Sequence, residues 1–208
     1  EGFNPILNGR GRSAAIAVAT LTVCCRGDEY TAIFGPRSGK TAAHPHLIHV
    51  APSGMFQPSK DWPSPTDERH QTEWDLLNHV HREILDELFS YDTDNIEGDT
   101  PERIKSLPDY IDLKGRIERH KARLFVTAVI VNLLGLRPEV CTLLVINDPE
   151  WFDWHNEGSH SLKPFTRNWE FASNEELREA QRRNAKGKIL WLQKITEKGR
   201  LLTNAELA

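Results

Sequence analysis

The chain reads as an α/β protein, and three observations say so. The stretch Glu73 to Phe89 carries the 3.6-residue repeat of an amphipathic helix. Two apolar runs rich in β-branched residues, Ala14–Cys25 and Phe125–Leu134, lie on either side of it in the chain. Turn residues follow each run: Arg26-Gly27-Asp28-Glu29 after the first and Gly135–Glu139 after the second.

Composition bounds the answer. The chain has 208 residues, of which 38% are hydrophobic, enough for one full core. We read it as a single domain over 1–208 with an insertion and a helical C-terminal extension. A net charge of −4 argues against bulk nucleic-acid binding. The cysteines Cys24, Cys25 and Cys141 are odd in number and form no CxxC pair, so no disulfide framework is expected and a reducing, cytoplasmic setting is the default. Ser13–Cys25 follows two arginines and mimics a signal peptide, yet it falls short of the roughly 17–25 residues of a membrane span. Its alternation favours a strand, and no membrane association is expected. The chain starts at Glu1 without a methionine, so a fragment that lacks an N-terminal domain is one reading.

In chain order, 1–12 reads as an arm, and Ala14–Cys25 with Tyr30–Phe34 as a hairpin. Gly35–Thr41, GPRSGKT, mimics a phosphate-binding loop. It has three residues between its glycines where that loop needs four, and the prolines at 45 and 52 forbid the helix that must follow. Loop glycines with a surface Lys40 are the preferred reading. His44 and His46 would share one face of a strand and His49 the other, so they make no compact zinc set. Leu47–Ala51 is a short strand leading to Pro52-Ser53-Gly54. Phe56–His70, with three prolines and Trp62, reads as an inserted loop: either a surface excursion or a substrate wall whose Trp62 stacks on a base.

Thr72 is placed to cap the central helix. Trp74, Leu77, Val80, His81, Ile84, Leu85 and Leu88 share its apolar side, while Glu83, Asp86 and Glu87 share the other. At spacings of three and four, side chains stand about 5–6 Å apart at Cβ, so these carboxylates repel one another unless a cation lies among them. Oxygen ligands suit a hard divalent ion such as Mg²⁺. A solvated acidic face is the plainer alternative.

After the helix, 91–100 reads as a polar loop. Pro101 opens a helix over roughly 102–107, and Pro108–Arg123 is helical in part. Phe125–Leu134 reads as a buried strand and Val140–Ile146 as another. Asn147–Gly158, NDPEWFDWHNEG, reads as an acidic, aromatic loop. Its Asp148, Glu150, Asp153 and Glu157 are candidate further metal ligands, Asp148 being favoured at a strand end, against the alternative of a solvated loop. Asn168–Phe171 reads as a last strand, and Ser173 as the cap of a closing helix. Arg182, Arg183, Lys186 and Lys188 form a basic cluster that reads as a solvated helix end.

Arg82-Glu83-Ile84-Leu85-Asp86-Glu87, with Gly54 upstream, resembles the box of the Nudix hydrolases, G-x5-E-x7-R-E-U-x-E-E-x-G-U, where U is aliphatic. Arg82, Glu83, Ile84 and Glu87 match, and Asp86 keeps the carboxylate. Phe89 stands where the box has glycine, and Ser90 where it has an aliphatic residue. Gly54 precedes Arg82 by 28 positions, twice the spacing of the pattern. Glu73 is one position out of register for the box's first glutamate, which turns it about 100° away from Glu83.

The resemblance implies an α/β/α sandwich with a mixed β-sheet. It implies hydrolysis of a nucleoside diphosphate linked to another moiety, with Mg²⁺ or Mn²⁺ held by Glu83, Asp86 and Glu87. Glu83, Glu87 and Arg82 would be catalytic, with Arg82 orienting a carboxylate, and Gly54 would contribute to cofactor binding. His79 is either a proton carrier or an ordinary surface histidine. The implied partners are a small nucleotide substrate and, at most, a second copy of the chain. Two other readings remain open at this point: a non-catalytic nucleotide-sensing domain of a regulator, and a plain interaction module.

Overall fold

The computed structural model describes residues 15–36, 48–58, 73–91, 93, 101–132, 137–157 and 170–172. Seven strands form one sheet among these. They are β1 (Ala17–Arg26), β2 (Glu29–Pro36), β3 (Ile48–Val50), β4 (Ser53–Met55), β5 (Ala122–Asn132), β6 (Arg137–Ile146) and β7 (Glu170–Ala172). The described helices are α1 (Leu76–Glu87), α2 (Pro101–Lys105), α3 (Pro108–Glu118) and α4 (Pro149–Glu157).

The main order across the sheet is β3-β2-β1-β6-β5, with β4 also on β1 and β7 also on β2. β1 runs parallel to β6, and every other pairing is antiparallel, so the sheet is mixed. The β1–β2 hairpin turns at Gly27-Asp28, where Gly27 takes φ +60°, a conformation costly for a side chain with Cβ. β2 pairs only with the second half of β1, over Val23–Arg26. The first half is therefore available to β4, which sets Gly54 opposite Val18.

Alternation along the strands gives the sheet two apolar faces. Val18, Cys24, Ile33, Leu144 and Ile146 pack with Val80, Ile84, Leu85 and Leu88 of α1, Leu113 of α3, and Trp151 and Phe152 of α4. Val23, Tyr30, Ala32, Leu143 and Val145 form a separate cluster from the alternate positions. Apolar layers on both faces are what a sandwich requires. The expected closing helix from Ser173 lies outside the described residues. The central strands are threonine-rich, and their buried hydroxyls are satisfied within the sheet. Thr22 donates to the Ala51 carbonyl at 2.7 Å, and Thr142 donates to Thr20 Oγ1 at 2.7 Å.

Three sequence expectations need correction. The run Phe125–Leu134 is not a buried strand. As part of β5 it lies at the end of the strand order, and Phe125, Val126, Val129 and Ile130 are exposed. Asn147–Gly158 is not a loop over most of its length, because Pro149–Glu157 is α4. α1 is capped by Asp75, which accepts from the Asn78 N–H at 2.8 Å. Thr72 lies outside the described residues, as do residues 59–72 of the insertion with Trp62, most of the phosphate-loop mimic, His44 and His46, and the basic cluster at 182–188.

Candidate active site on helix α1 and strand β4

One flank of α1 lies antiparallel to the segment 53–57. Arg82 Nη2 donates to the Gln57 carbonyl at 2.6 Å. Next along the helix, Glu83 places its carboxylate against Gly54. A Cβ on Gly54 would stand 2.2 Å from Glu83 Oε2 and 2.5 Å from its carboxyl carbon, so only glycine admits this approach without displacing Glu83. One turn on, Glu87 Oε2 accepts from the Ser53 N–H at 3.0 Å. Two carboxylates four residues apart thus share one short strand. Gly54 acts here as the seat of Glu83.

Asp86 is held elsewhere. It accepts from the Thr93 N–H at 3.2 Å, tying the chain that leaves α1 back to the helix. Among the described residues, no three His, Cys, Asp or Glu side chains converge as a metal-holding group. Two carboxylates are nevertheless the number that Mg²⁺ often takes from protein, with water and substrate phosphate completing its octahedron. Glu83 and Glu87 fit that use.

Arg82 also lies 3.7 Å from Glu83 Oε1, so its guanidinium links the Gln57 carbonyl, just past β4, to the carboxylate. It positions Glu83. His79, one turn earlier, is not a surface residue: it is 2% exposed and packs edge-on against Phe56. Its Nδ1 lies 3.3 Å from Arg82 Nη2 and 3.8 Å from Glu83 Oε1. Burial, with the neighbouring Arg82 charge, lowers the His79 pKa to about 4, so the ring is neutral near pH 7. Glu73 is buried too, but it faces Lys105 at 4.0 Å, apart from the Glu83–Glu87 pair.

Phe89, standing where the Nudix box has glycine, is buried and stacks on His155 with centroids 4.4 Å apart. The left-handed residue at the end of α1 is Ser90, with φ +52°, one position after Phe89. The reversal that a glycine would permit is thus made one residue later, and Phe89 is left free to fill the core.

Asp148 has a different role from the metal ligand expected. It is 3% exposed and pairs with Arg116 and, at 2.9 Å, with Lys121. Burial opposes its ionisation, but Lys121, Arg116 and the Glu150 N–H outweigh that and hold its carboxyl below the usual range. Glu150 and Asp153 are exposed on α4. The side chain of Glu157 lies outside the described residues.

Sequence reasoning missed the Ser53 N–H and the Gln57 carbonyl. Backbone groups carry no letter in a sequence, and only the pairing of β4 with β1 brings them to α1.

No family model matches the chain, and no curated protein does. Solved structures do show a likeness. An Ap4A hydrolase of C. elegans superposes with a TM-score of 0.39 at 13% identity, over 80% of this chain and 86% of that one. A NUDIX hydrolase from Alicyclobacillus acidocaldarius gives 0.39 at 11% identity, over 86% of each chain. The chain is similar to Nudix hydrolases. A protein of Deinococcus radiodurans gives 0.36 at 13%, over 86% of this chain and 80% of that one.

Proposed function

We propose that the chain is a Nudix-like, metal-dependent hydrolase that cleaves the pyrophosphate bond of a nucleoside diphosphate linked to another moiety. The observation that carries this reading is the pair Glu83 and Glu87 set side by side against Ser53 and Gly54, with Gly54 bare of a Cβ where Glu83 sits. A structural helix does not require two carboxylates at neighbouring positions of one strand. A site for a divalent ion does.

Mg²⁺ or Mn²⁺ held by Glu83 and Glu87 would offset pyrophosphate charge and lower the pKa of an attacking water. Asp86 would join them only on leaving Thr93. Arg82, held by the Gln57 carbonyl, would orient Glu83. His79, neutral near pH 7, has no proton to spare as an acid there. The general base would be one of these glutamates or a nearby loop carboxylate.

Phosphate release from a panel of nucleoside diphosphate derivatives and dinucleotides, with Mg²⁺ or Mn²⁺ and a coupled phosphatase, tests the reading. Turnover that disappears in Glu87→Gln is the expected result. Turnover that survives in Glu87→Gln would sink it. The hold of Thr93 on Asp86 favours one second reading, a nucleotide-binding sensor domain without turnover. Nucleotide that raises the melting temperature while no substrate is cleaved would establish that reading instead.

A further inference from the structure

Among the described residues, β5 pairs with β6 alone and so presents an open edge. From Leu124 to Val131 that edge carries no charge and no proline, the residues that usually guard an outer strand. Phe125, Val126, Val129 and Ile130 are exposed, Val129 by 69%. A long, bare, apolar edge of this kind recruits another strand.

The register of β5 says which strand fits. Its one irregularity lies between Val126 and Ala128, where Thr127 is the extra residue of a bulge. Thr127 turns inward, and its Oγ1 donates to the Cys141 carbonyl at 3.0 Å. With Thr127 out of the count, Val126 and Val129 stand opposite Thr142 and Val140, on one face of the sheet. Phe125 and Ile130 stand opposite Leu143 and Glu139, on the other face. Without the bulge, Val126 and Val129 would point to opposite faces. Both pairs are symmetric about Ala128, which is small and exposed. A two-fold axis at that point sets Ala128 against its own copy, Val126 against Val129, and Phe125 against Ile130.

We propose that β5 pairs antiparallel with β5 of a second copy about a two-fold axis at Ala128, joining two sheets into one. Charge favours this direction. Arg123 then falls opposite Asn132 of the second copy and shares a face with the Glu139 that is paired to Ile130 there. Strand spacings put Arg123 and that Glu139 about 12 Å apart at Cα, a gap their two side chains span together. Arg137, in the row of Asn132, reaches the other way and donates to Met55 Sδ at 3.5 Å. Parallel pairing would instead set Arg123 beside Arg123. The proposal does not rest on the hydrolase reading.

Sedimentation of the full chain over a concentration series is the test. A dimer is expected, and Val129→Lys should weaken it at least about tenfold, because two lysines enter the apolar rows. Val129 is well exposed, so this variant folds as the unmodified chain does. Oxidative cross-linking reads the register. Ala128→Cys would face itself at about 4.5–5.5 Å between Cβ atoms and should form a dimeric disulfide. Phe125→Cys would lie about 13 Å from its own copy along the strand and should not. A monomer at every concentration, a dimer indifferent to Val129→Lys, or cross-linking through Phe125→Cys but not Ala128→Cys would each overturn the proposal. A monomer whose Val126 and Val129 amides resist hydrogen exchange would overturn it too, giving the edge to another part of the chain. Turnover enters none of these readouts, so the hydrolase reading stands or falls separately.

Discussion

Two acidic stretches of this chain look alike on paper: Arg82–Glu87 and Asn147–Glu157. Each puts carboxylates on a helix or at its start, and each invites a metal. The structure treats them oppositely. Glu83 and Glu87 meet a strand that offers a backbone N–H and a bare glycine. Asp148 meets Arg116 and Lys121, which neutralise it in place. What a carboxylate can do is set by the sign of what faces it. Asp148 is buried between two cations and is a structural pin, whereas Glu83, with Arg82 at 3.7 Å, and Glu87 lie along a strand.

The largest expected effect breaks that contrast from one side. Glu87→Gln should lower turnover about a thousandfold, near 4 kcal/mol of barrier, while its urea midpoint stays close to that of the unmodified protein. Asp148→Ala should do the reverse. It takes from buried Arg116 one of two carboxylate partners, leaving Asp112 at 2.8 Å, and should cost about 1.5–3 kcal/mol of stability, read by urea denaturation. Should Asp148→Ala fold normally and lose only activity, the two stretches would not differ as described.

Gly54→Ala is the next in size. Its Cβ would collide with the Glu83 carboxylate, so Glu83 must turn away. Turnover should drop about ten- to a hundredfold, or 1.4–2.8 kcal/mol, with little change in melting temperature. Retained activity would show that the seat of Glu83 is unimportant.

Acid should weaken the fold through the two buried histidines of α1. Burial lowers the pKa of both His79 and His81 to about 4. The unfolded chain, with histidine near 6.5, binds more protons between those values. Their contribution to stability is therefore complete above about pH 6.5 and is lost as pH falls toward 4, by roughly 3 kcal/mol each at most. Urea midpoints from pH 7 to pH 4.5 read this directly. A flat profile would mean that one ring finds a partner for its proton.

The smallest effect concerns His81 alone. Both of its ring nitrogens are buried without partners, and it packs edge-on against Tyr110 with centroids 4.8 Å apart. Replacing an unsatisfied polar ring by an apolar side chain removes a desolvation cost. His81→Leu should leave stability level or raise it by about 1 kcal/mol at pH 7 and flatten the acid profile. A clear loss would reveal a hidden hydrogen bond.

The sequence by itself determined much of this. The repeat of Val80, Ile84, Leu85 and Leu88 specifies α1 and its buried side, because helical period is local geometry. The alternation of β1 and the Gly27-Asp28 turn specify the first hairpin for the same reason. The start of α4 was legible too, with Asp148 before Pro149 and Glu150, though acidity alone led to a loop reading. Tertiary structure decided the rest. β5 is as apolar as a buried strand, yet its place at the end of the strand order exposes it, and order across a sheet is not a local property. Asp86 and Glu87 are adjacent and equally acidic, but Thr93 takes one and Ser53 the other. Gly54 became the seat of Glu83 only when β4 paired with the first half of β1, which β2 leaves open. Each of these outcomes depends on a group distant in sequence arriving with its backbone or its charge, and no local pattern encodes that arrival.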